Sequence, residues 1–574
     1  MNSQEIDMNN ATNVINVFFG TLIITSLSAC GGGDGSTNSQ GEVSDVEVVV
    51  VTPNISTTDV DRDPPIGVQF SGDIFAPSVD SDSFQLLRRG EPVDGAISFV
   101  GTDAIGFSVN EGLALLSNYT GRVTTAITDI SGLPLANTFE WPFVTRDGIW
   151  QEPESMAQGA SIDDPVIITD ANDITWAFYR RNSVFPEEND VIARRFLGNN
   201  IWGMEQLVSN GVDDEDVAGN PQVVALTNGD LLVLWEENSP GGIPTQLSYN
   251  RYSQSSRSWG DSERINASAF AHMSPRLVAD GSDNVMAVFE MAGMGPATIA
   301  ALIYDGDNDQ WVGAATVDEL NEEAGHPRVS INHQGDAMVI WLQDDRVYSR
   351  RYQFSTEMWG SVEAIDDVGA GLLQPGLALS VDSRGNFTAV WSQEGEALSF
   401  SFIWSNRYIP GQGWIGADEI TGSALGFNPQ LVIDRDDNML LVWRQDVNAG
   451  NILSSRFDAL DESWSMAELL EEGEQPASSP RLTIDESGNA MAIWQQNRSG
   501  TFFDNNGIFY IDPPSIWVKR FSHTHDSWEA SQVISVLGGA VDSPAITHNA
   551  SGEITALWMH TLEGQPTIQS RRFD

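Results

Sequence analysis

The chain of 574 residues contains one cysteine, Cys30, and one lysine, Lys519. A single cysteine excludes a disulfide within the chain. Basic residues are scarce too: 28 Lys and Arg stand against 81 Asp and Glu, which gives a formal charge of -53 at pH 7. This charge would repel nucleic acids and anionic membrane surfaces, which argues against both as partners. The simplest interpretation of the charge is a solubilising surface for a salty medium.

Long apolar runs are also rare, and the clearest one covers residues 14–27. It is too short to span a bilayer and is typical of a signal-peptide core. The tetrapeptide Leu27-Ser28-Ala29-Cys30 that ends it resembles the lipobox of bacterial lipoproteins. The resemblance implies that residues 1–29 are removed and that acyl chains such as palmitate are attached at Cys30, its lipidation site. The run departs from the usual pattern because no Lys or Arg precedes it.

The stretch after Cys30 is rich in Gly and Ser, and we assign residues 30–46 to the lipidated cysteine and a flexible tether. Gly31, rather than Asp, follows the cysteine. By the sorting pattern of Gram-negative lipoproteins, this resemblance implies a lipid-anchored protein of the outer membrane, on its periplasmic or cell-surface side. The lipid anchor is then the expected contact with a membrane.

Residues 47–146 alternate short apolar segments with Gly, Asn, Asp and Pro, which predicts about seven strands in a β-sandwich. The segment resembles the bacterial Ig-like domains of surface-layer and adhesin-type proteins. The residues that carry the resemblance are Pro65, Ile66, Val68, Phe70, Asn118, Tyr119, Thr120, Asp129, Gly132, Trp141, Phe143 and Thr145. Such domains are usually spacers, so the resemblance implies a stalk, with an adhesive role as the alternative.

One phrase recurs eight times in residues 147–574, as in "PRLTIDESGNAMAIWQQN" at 480–497. Each copy begins at a proline, and these prolines are Pro165, Pro221, Pro275, Pro327, Pro375, Pro429, Pro480 and Pro544. The mean step of (544 − 165)/7, about 54 residues, is in the range of propeller blades. Each copy predicts four strands: one after the proline, one ending in an aromatic residue, one ending near an arginine, and one beginning at a tryptophan.

The tryptophans follow the same period, since 17 of the 18 lie in these copies. The aromatic residues assigned to the second strands are Trp176, Trp235, Phe289, Trp341, Trp391, Trp443, Trp494 and Trp558. Trp150 precedes the first proline, and the last copy stops after Arg572 and Phe573 without its fourth strand. Residues near 149–158 therefore complete the last copy. The sequence predicts an all-β protein: an N-terminal Ig-like β-sandwich followed by an eight-bladed β-propeller. The repeat resembles those of largely uncharacterised bacterial surface lipoproteins, which implies the fold and little about activity.

Acidic turns such as "DESGN" could indicate calcium, but the EF-hand spacing is absent and tight hairpins need the same residues. We expect no cofactor, with calcium as the alternative at these turns. Seven copies carry an arginine before the third-strand aromatic, which favours a structural role by stacking or ion pairing. The few histidines lack zinc-site spacing, so no metal site is predicted.

Residues before the prolines and after the second-strand aromatics should meet at one rim of the central channel. This rim is rich in amide and hydroxyl groups, which suit sugars or peptide backbone and can equally cap strand ends. The possible ligand-binding residues are Asp163, Asp164, Asn220, Glu237, His326, Gln343, Gln393, Gln445, Gln496 and His560. Loop 495–515 adds Phe502, Phe503, Phe509 and Tyr510. No residue is assigned a catalytic role.

The leading hypothesis is a cell-envelope scaffold that binds a glycan or protein ligand through these rim loops. The alternative is a glycan-active enzyme, a hydrolase or lyase, with paired carboxylates at the channel mouth. Its candidates are Asp163, Asp164, Glu237 and Asp542. A third hypothesis is a purely structural component of the envelope.

Overall fold

The structure is a computed structural model, and its described residues divide into two compact units, the first ending at Gly148 and the second beginning at Ile149. It describes residues 42–110, 112–158, 162–182, 189–210, 217–238, 245–265, 270–306, 308–366, 373–394, 401–420, 426–445, 450–471, 475–497, 501–503, 509–511, 513–536 and 538–574. Cys30 and the predicted signal peptide lie outside these residues. Among those described, no helix has the length and apolar character needed to cross a membrane.

The first unit is a sandwich of two sheets. One sheet contains, in spatial order, Val48–Thr52, Ile66–Phe70, Ala104–Val109 and Gly95–Phe99. The other contains Thr57–Val60, Phe139–Thr145, Asn118–Val123, Phe84–Arg88 and Glu91–Pro92, and a short 3-10 turn covers Ala76–Ser78. Trp141 is fully buried between the sheets, and Phe84 meets Phe107 edge to face at 5.9 Å. The alternating apolar residues thus form one aromatic core.

The sandwich begins earlier than the sequence predicts. Residues 42–46 are assigned to the tether, yet Ser44 is buried, its backbone N–H donates to Pro134, and its hydroxyl donates to Asp129 at 2.6 Å. Val46 packs against the core. These contacts make the end of the predicted tether part of the sandwich.

The described strands of the second unit fall into eight repeated groups, here called units one to eight in chain order. Strands within a group pair antiparallel, and a parallel bridge between Asn189 and Val217 joins units one and two in a single nine-stranded sheet. Units one to four contain the following strands: Ile162–Thr169, Thr175–Asn182, Asn189–Arg195 and Gln206–Leu207; Val217–Ala225, Leu231–Asn238, Gln246–Ser253, Ser258–Trp259 and Glu263–Ile265; Ala271–Ala279, Val285–Ala292, Thr298–Asp305 and Gln310–Thr316; Ala324–Ile331, Asp336–Gln343, Arg346–Gln353, Met358–Trp359 and Glu363–Ala364.

Units five to eight repeat the pattern, with a small hairpin of Thr501–Phe503 and Phe509–Ile511 inserted in unit seven. Their strands are Leu373–Val381, Phe387–Glu394, Ser401–Ile409 and Gly413–Glu419; Gly426–Ile433, Met439–Gln445, Asn451–Asp458, Ser463–Trp464 and Glu468–Leu469; Ala477–Ile484, Ala490–Gln496, Ser515–Ser522, Ser527–Trp528 and Gln532–Val533; Ala540–His548, Ile554–Leu562, Gln565–Phe573 and Glu154–Gln158.

The first strand of each unit is its inner strand, and each inner strand packs against those of the units before and after it. The inner strand of unit one also packs against that of unit eight, so the units form a closed ring around a central channel. Glu154–Gln158, from the start of the ring, pairs antiparallel with Gln565–Phe573 at its end. Trp150 bridges Phe573. The chain is therefore all-β, with a sandwich followed by a β-propeller.

Neighbouring units are joined by repeated side-chain contacts. Five fourth-strand tryptophans donate their indole N–H to the preceding unit, as Trp414 does to Ser349 at 2.9 Å; the other four are Trp202, Trp259, Trp464 and Trp528. The third-strand arginine pairs with an acid of its own unit and lies over an aromatic ring of the next, as Arg407 does with Asp382 and, at 4.7 Å, with Phe457. These arginines are structural, as the sequence predicts, although most stack on Phe or Tyr rather than on tryptophan.

The predicted register of unit one is wrong. Counted from the turn residue that follows the inner strand, Trp235 and its equivalents occupy the ninth position, whereas Trp176 occupies the sixth after Asp170. Tyr179 stands at the ninth position, where it is fully buried. Trp176 instead donates its indole N–H to the Asp170 carboxylate at 2.9 Å. A tryptophan was therefore present in the copy but not at the shared position.

Candidate functional site at the channel mouth

A β-bulge interrupts every inner strand next to its proline, and it shapes one end of the channel. In seven units the residue before the proline has φ between 49° and 58°, a conformation that costs a non-glycine residue about 1–2 kcal/mol. These residues are Asp164, Asn220, Ser274, His326, Asn428, Ser479 and Ser543. Their repeated strain marks this end of the ring as the candidate site.

Three predicted rim residues lie in this ring of bulges. The Asp164 carboxylate accepts the Asn220 backbone N–H at 3.4 Å, and the Asn220 amide donates to Glu236 at 2.9 Å. The His326 side chain is exposed, and its backbone N–H donates to Glu290 at 2.8 Å. Asp164, Asn220 and His326 thus occupy equivalent positions at one end of the inner strands, and some of their polar atoms join adjacent units.

The two aspartates of unit one share one cation. Arg180 forms a bidentate ion pair with Asp163 and lies 3.8 Å from the Asp164 carboxylate. The ion pair and its hydrogen bonds raise the pKa of Arg180 above its ordinary value. Both carboxylates at this point are therefore held by a guanidinium group.

The residues two positions after the second-strand aromatics lie elsewhere than predicted. Gln343, Gln393 and Gln496 are at most 1 % exposed, and each accepts the indole N–H of the tryptophan two residues earlier, at 2.8–3.0 Å. Glu237 is 1 % exposed and binds Ser248 and Arg264. Residues two apart on a strand share a face, so these side chains follow the aromatics into the space between units.

The last two predicted residues are also drawn inward. His560 is 4 % exposed, and its Nε2 lies 2.6 Å from the Gly538 carbonyl oxygen. Gln445 is half-buried.

Among the described residues, no group of three His, Cys, Asp or Glu side chains is arranged to hold a metal ion. The Asp485 carboxylate of "DESGN" accepts backbone N–H groups of Ser487 and Asn489 at 2.9 Å, in the manner of a tight turn.

Gln343 adjoins a buried carboxyl that makes stability depend on pH. Burial raises the pKa of Asp318 above its ordinary value of 3.8, although hydrogen bonds from Ile299 N–H and Gln343 oppose the shift. The folded protein therefore holds this proton more tightly than the unfolded chain. The resulting stability is present below about pH 4 and is lost as the pH rises through the raised pKa.

We expect Asp318→Ser to remove the loss of folding stability that the Asp318 carboxyl causes as the pH rises. In units one and seven, Ser209 and Ser535 accept the equivalent backbone N–H at 3.1 and 3.0 Å, so a serine fits the position without charge. Urea unfolding between pH 4 and 8, followed by tryptophan fluorescence, should show the variant gaining on the wild type as the pH rises. The exposed Asp461→Ser serves as the control for loss of one negative charge. If the difference in free energy of unfolding between variant and wild type were the same at every pH, Asp318 would not be the group responsible.

The residues directly after the prolines form a further set of polar groups that the sequence did not single out. Arg276, Arg328 and Arg481 each donate from Nη1 to the carbonyl oxygen of the preceding proline, at 2.7, 2.9 and 3.0 Å. Gln222 and Gln430 make the same hydrogen bond, both at 2.9 Å. The signal was the dipeptide Pro-Arg or Pro-Gln, which recurs in five of the eight copies. It places long polar side chains on the edge of the inner strands.

The three arginines influence one another. Burial lowers the pKa of all three guanidinium groups, and that of Arg328 falls to about 10 because Arg276 and Arg481 add repulsion. Glu290 opposes the shift at Arg328, and Glu236 and Glu290 oppose it at Arg276. All three therefore remain cationic at neutral pH, and they lie within electrostatic reach of one another.

Comparisons with known proteins bear on the fold. The family model of the bacterial Ig-like domain matches residues 42–145. No curated protein sequence matches the chain.

Three solved structures that resemble the chain are a Dos1 propeller, an ulvan lyase of polysaccharide lyase family 25, and an intramolecular trans-sialidase from Ruminococcus gnavus. The Dos1 propeller has 8 % identity and a TM-score of 0.45, over 74 % of this chain and 95 % of that one. The lyase has 10 % identity and a TM-score of 0.41, over 65 % of this chain and 93 % of the lyase. The trans-sialidase has 12 % identity and a TM-score of 0.32, over 64 % of this chain and 95 % of the trans-sialidase. None of these likenesses identifies a ligand for this chain. Residues 42–145 form a bacterial Ig-like domain.

Proposed function

We propose that this protein is a cell-envelope lipoprotein, anchored through Cys30 in the outer membrane, whose ring binds an extracellular glycan or protein ligand at the channel mouth. The sequence motif around Cys30 and the Ig-like domain support the envelope location. The observation that carries the binding role is the strained ring of polar residues before the prolines, since strain of this kind clusters at ligand sites. The ring itself acts as a rigid scaffold.

The candidate carboxylates favour a binding role over an enzyme that cleaves glycans, because most of them are ion-paired or buried. A glycosidase needs one free carboxylic acid and one free carboxylate facing each other across the bond. Asp163 and Asp164 are held by Arg180, and Glu237 is buried against Arg264 at 2.9 Å. Asp542 is exposed in the described structure and lies on the bulge of unit eight. Three of the four candidates are thus committed to the ring itself.

The anchor is tested by feeding cells a palmitate analogue that can be detected chemically. The full chain should become labelled and should fractionate with outer membranes, whereas Cys30→Ala should remain unlabelled and leave the membrane fraction. A labelled Cys30→Ala protein, or an unlabelled wild type, would contradict the anchor.

The binding role is tested with the mature chain on a glycan array and on extracellular matrix proteins, followed by incubation with whatever it captures. Binding without release of shortened or unsaturated sugars is the expected result. Release of such products would favour the enzyme. Capture of neither glycan nor protein would leave the structural-component hypothesis.

A further inference from the structure

Three arginines occupy the same layer of the channel. Arg276, Arg328 and Arg481 pair across the sheet with Val288, Ile340 and Ile493, each of which directly precedes the second-strand aromatic residue of its unit. Their positions in the repeat are therefore equivalent, and their side chains start from the same height on the inner strands. The common hydrogen bond to the preceding proline turns them in the same direction.

The ring places these side chains on different sides of the channel. Arg276 belongs to unit three and Arg481 to unit seven, which lie four units apart in either direction around the ring of eight. Arg328, from unit four, is adjacent to Arg276 and donates from Nε to the Leu377 carbonyl of unit five at 3.0 Å. Arg481 is exposed although protein surrounds it, as expected for a group in an open channel.

None of the three guanidinium groups forms an ion pair with a carboxylate of the described residues. This is unusual in a chain with 81 acids and 28 bases. Six of the seven third-strand arginines do form ion pairs: Arg251, Arg351, Arg407, Arg456, Arg520 and Arg572. The two acids that oppose the pKa shifts, Glu236 and Glu290, accept the backbone N–H groups of Ser274 and His326, at 2.7 and 2.8 Å.

We propose that Arg276, Arg328 and Arg481 form a binding site for an oxyanion, the carboxylate or sulfate group of a ligand that enters the channel. The proposal rests on the proposed binding role of this mouth. Each guanidinium carries five N–H donors in a fork suited to two oxygen atoms. The proline carbonyls use Nη1, and the Leu377 carbonyl also uses Nε of Arg328, so Nη2 of all three remains to face a ligand. An anion at the centre would also relieve the repulsion between the three cations. A free inorganic anion and an acidic sugar share this chemistry.

The chain itself supplies a substitution that preserves the local structure. Gln222 and Gln430 occupy the same position and make the same hydrogen bond to the preceding proline. Arg276→Gln, Arg328→Gln, Arg481→Gln and the triple variant should therefore fold. Arg435→Gln is the control, because this arginine is 61 % exposed in the turn after the inner strand of unit six and forms a 3.7 Å ion pair with Glu486.

The experiment measures calorimetric binding and thermal unfolding of the full mature chain with sodium sulfate, sodium glucuronate and neutral glucose, at constant ionic strength set with sodium chloride. Sulfate or glucuronate should bind the wild type and raise its Tm, whereas glucose should do neither. Each Arg→Gln change should weaken binding about tenfold or more, and the triple variant should lose it. Binding of sulfate alone would point to a free inorganic anion, and binding of glucuronate to an acidic sugar; both support the oxyanion site.

Stability without the anion provides a second readout. Like charges that repel one another destabilise the ring, so the double variant of Arg276→Gln and Arg481→Gln, which keeps the Arg328 hydrogen bond to Leu377, should melt higher than the wild type in chloride alone. Unchanged anion binding in the triple variant, no anion binding by the wild type, or a lower Tm of this double variant in chloride would overturn the site. Capture of polymers in the array reports separately on the proposed function: polymer binding that survives in the triple variant would retain the function and reject the oxyanion site.

Discussion

Deletion of residues 563–574 should destabilise the ring more than any single substitution, by more than about 5 kcal/mol. The deletion removes Gln565–Phe573, which lies between Ile554–Leu562 and Glu154–Gln158 in unit eight. Ile568 and Phe573, both buried, would be lost. The facing strands would then expose an apolar surface and unpaired backbone groups to water.

The same segment also carries the contacts that join unit eight to unit one. Arg572 lies 4.3 Å from the ring centre of Phe196, and Ser570 accepts the Trp202 indole N–H at 3.0 Å. Urea unfolding, followed by near-UV circular dichroism and tryptophan fluorescence, measures the loss. Replacement of residues 498–512 in unit seven by a short Gly-Ser turn is the control, since Gln496 and Ser515 around it already pair with each other. A truncated chain with the wild-type urea midpoint would show that the closing strand is dispensable.

The closure of the ring could be predicted by counting the strands in the first and last copies of the repeat. Trp150 begins a fourth strand that has no first three, and Phe573 ends a third strand that has no fourth, so the two incomplete copies complement each other. The structure pairs these two residues. Periodic positions of large apolar residues are a strong signal, because each must find the same environment in every copy.

The candidate site was harder to predict because the repeat pattern does not tell which side chains face the channel and which face the space between units. Gln343 was expected at the rim because the second strands end there, but it stands two residues after Trp341 on the same strand and so faces the space between units. Asp164, Asn220 and His326 were found because they precede the prolines directly. Arg276, Arg328 and Arg481 were missed because Arg and Gln on an inner strand resemble ordinary polar substitutions until the ring brings them around one channel.

Phe289 explains the buried glutamines, and it makes a second large effect predictable. Unit three has Phe289 where most units have tryptophan, and two residues later it has Met291 rather than a glutamine. Phenylalanine has no N–H to donate, so no acceptor is required beside it. In unit five, by contrast, Trp391 donates to Gln393 at 2.8 Å, and both side chains are 0 % exposed. The aromatic residue and its neighbour two positions later thus form one interdependent pair.

Trp391→Phe should lower the free energy of unfolding by about 2–4 kcal/mol, because it leaves a cavity and removes the donor to the buried Gln393 oxygen. The double variant Trp391→Phe with Gln393→Met copies unit three and should recover at least about 1 kcal/mol of that loss. Asp366, which also contacts Gln393 at 3.5 Å, keeps its ion pair with Arg346 at 3.0 Å in the double variant.

A double-mutant cycle completed with Gln393→Met, measured by urea unfolding, gives the coupling energy between the two positions. Gln393→Met alone should be destabilising, since it leaves the Trp391 indole N–H buried without an acceptor, whereas the same methionine is favourable beside phenylalanine. Additive effects of the two changes would mean that the indole hydrogen bond contributes nothing, and that the glutamines are retained for another reason.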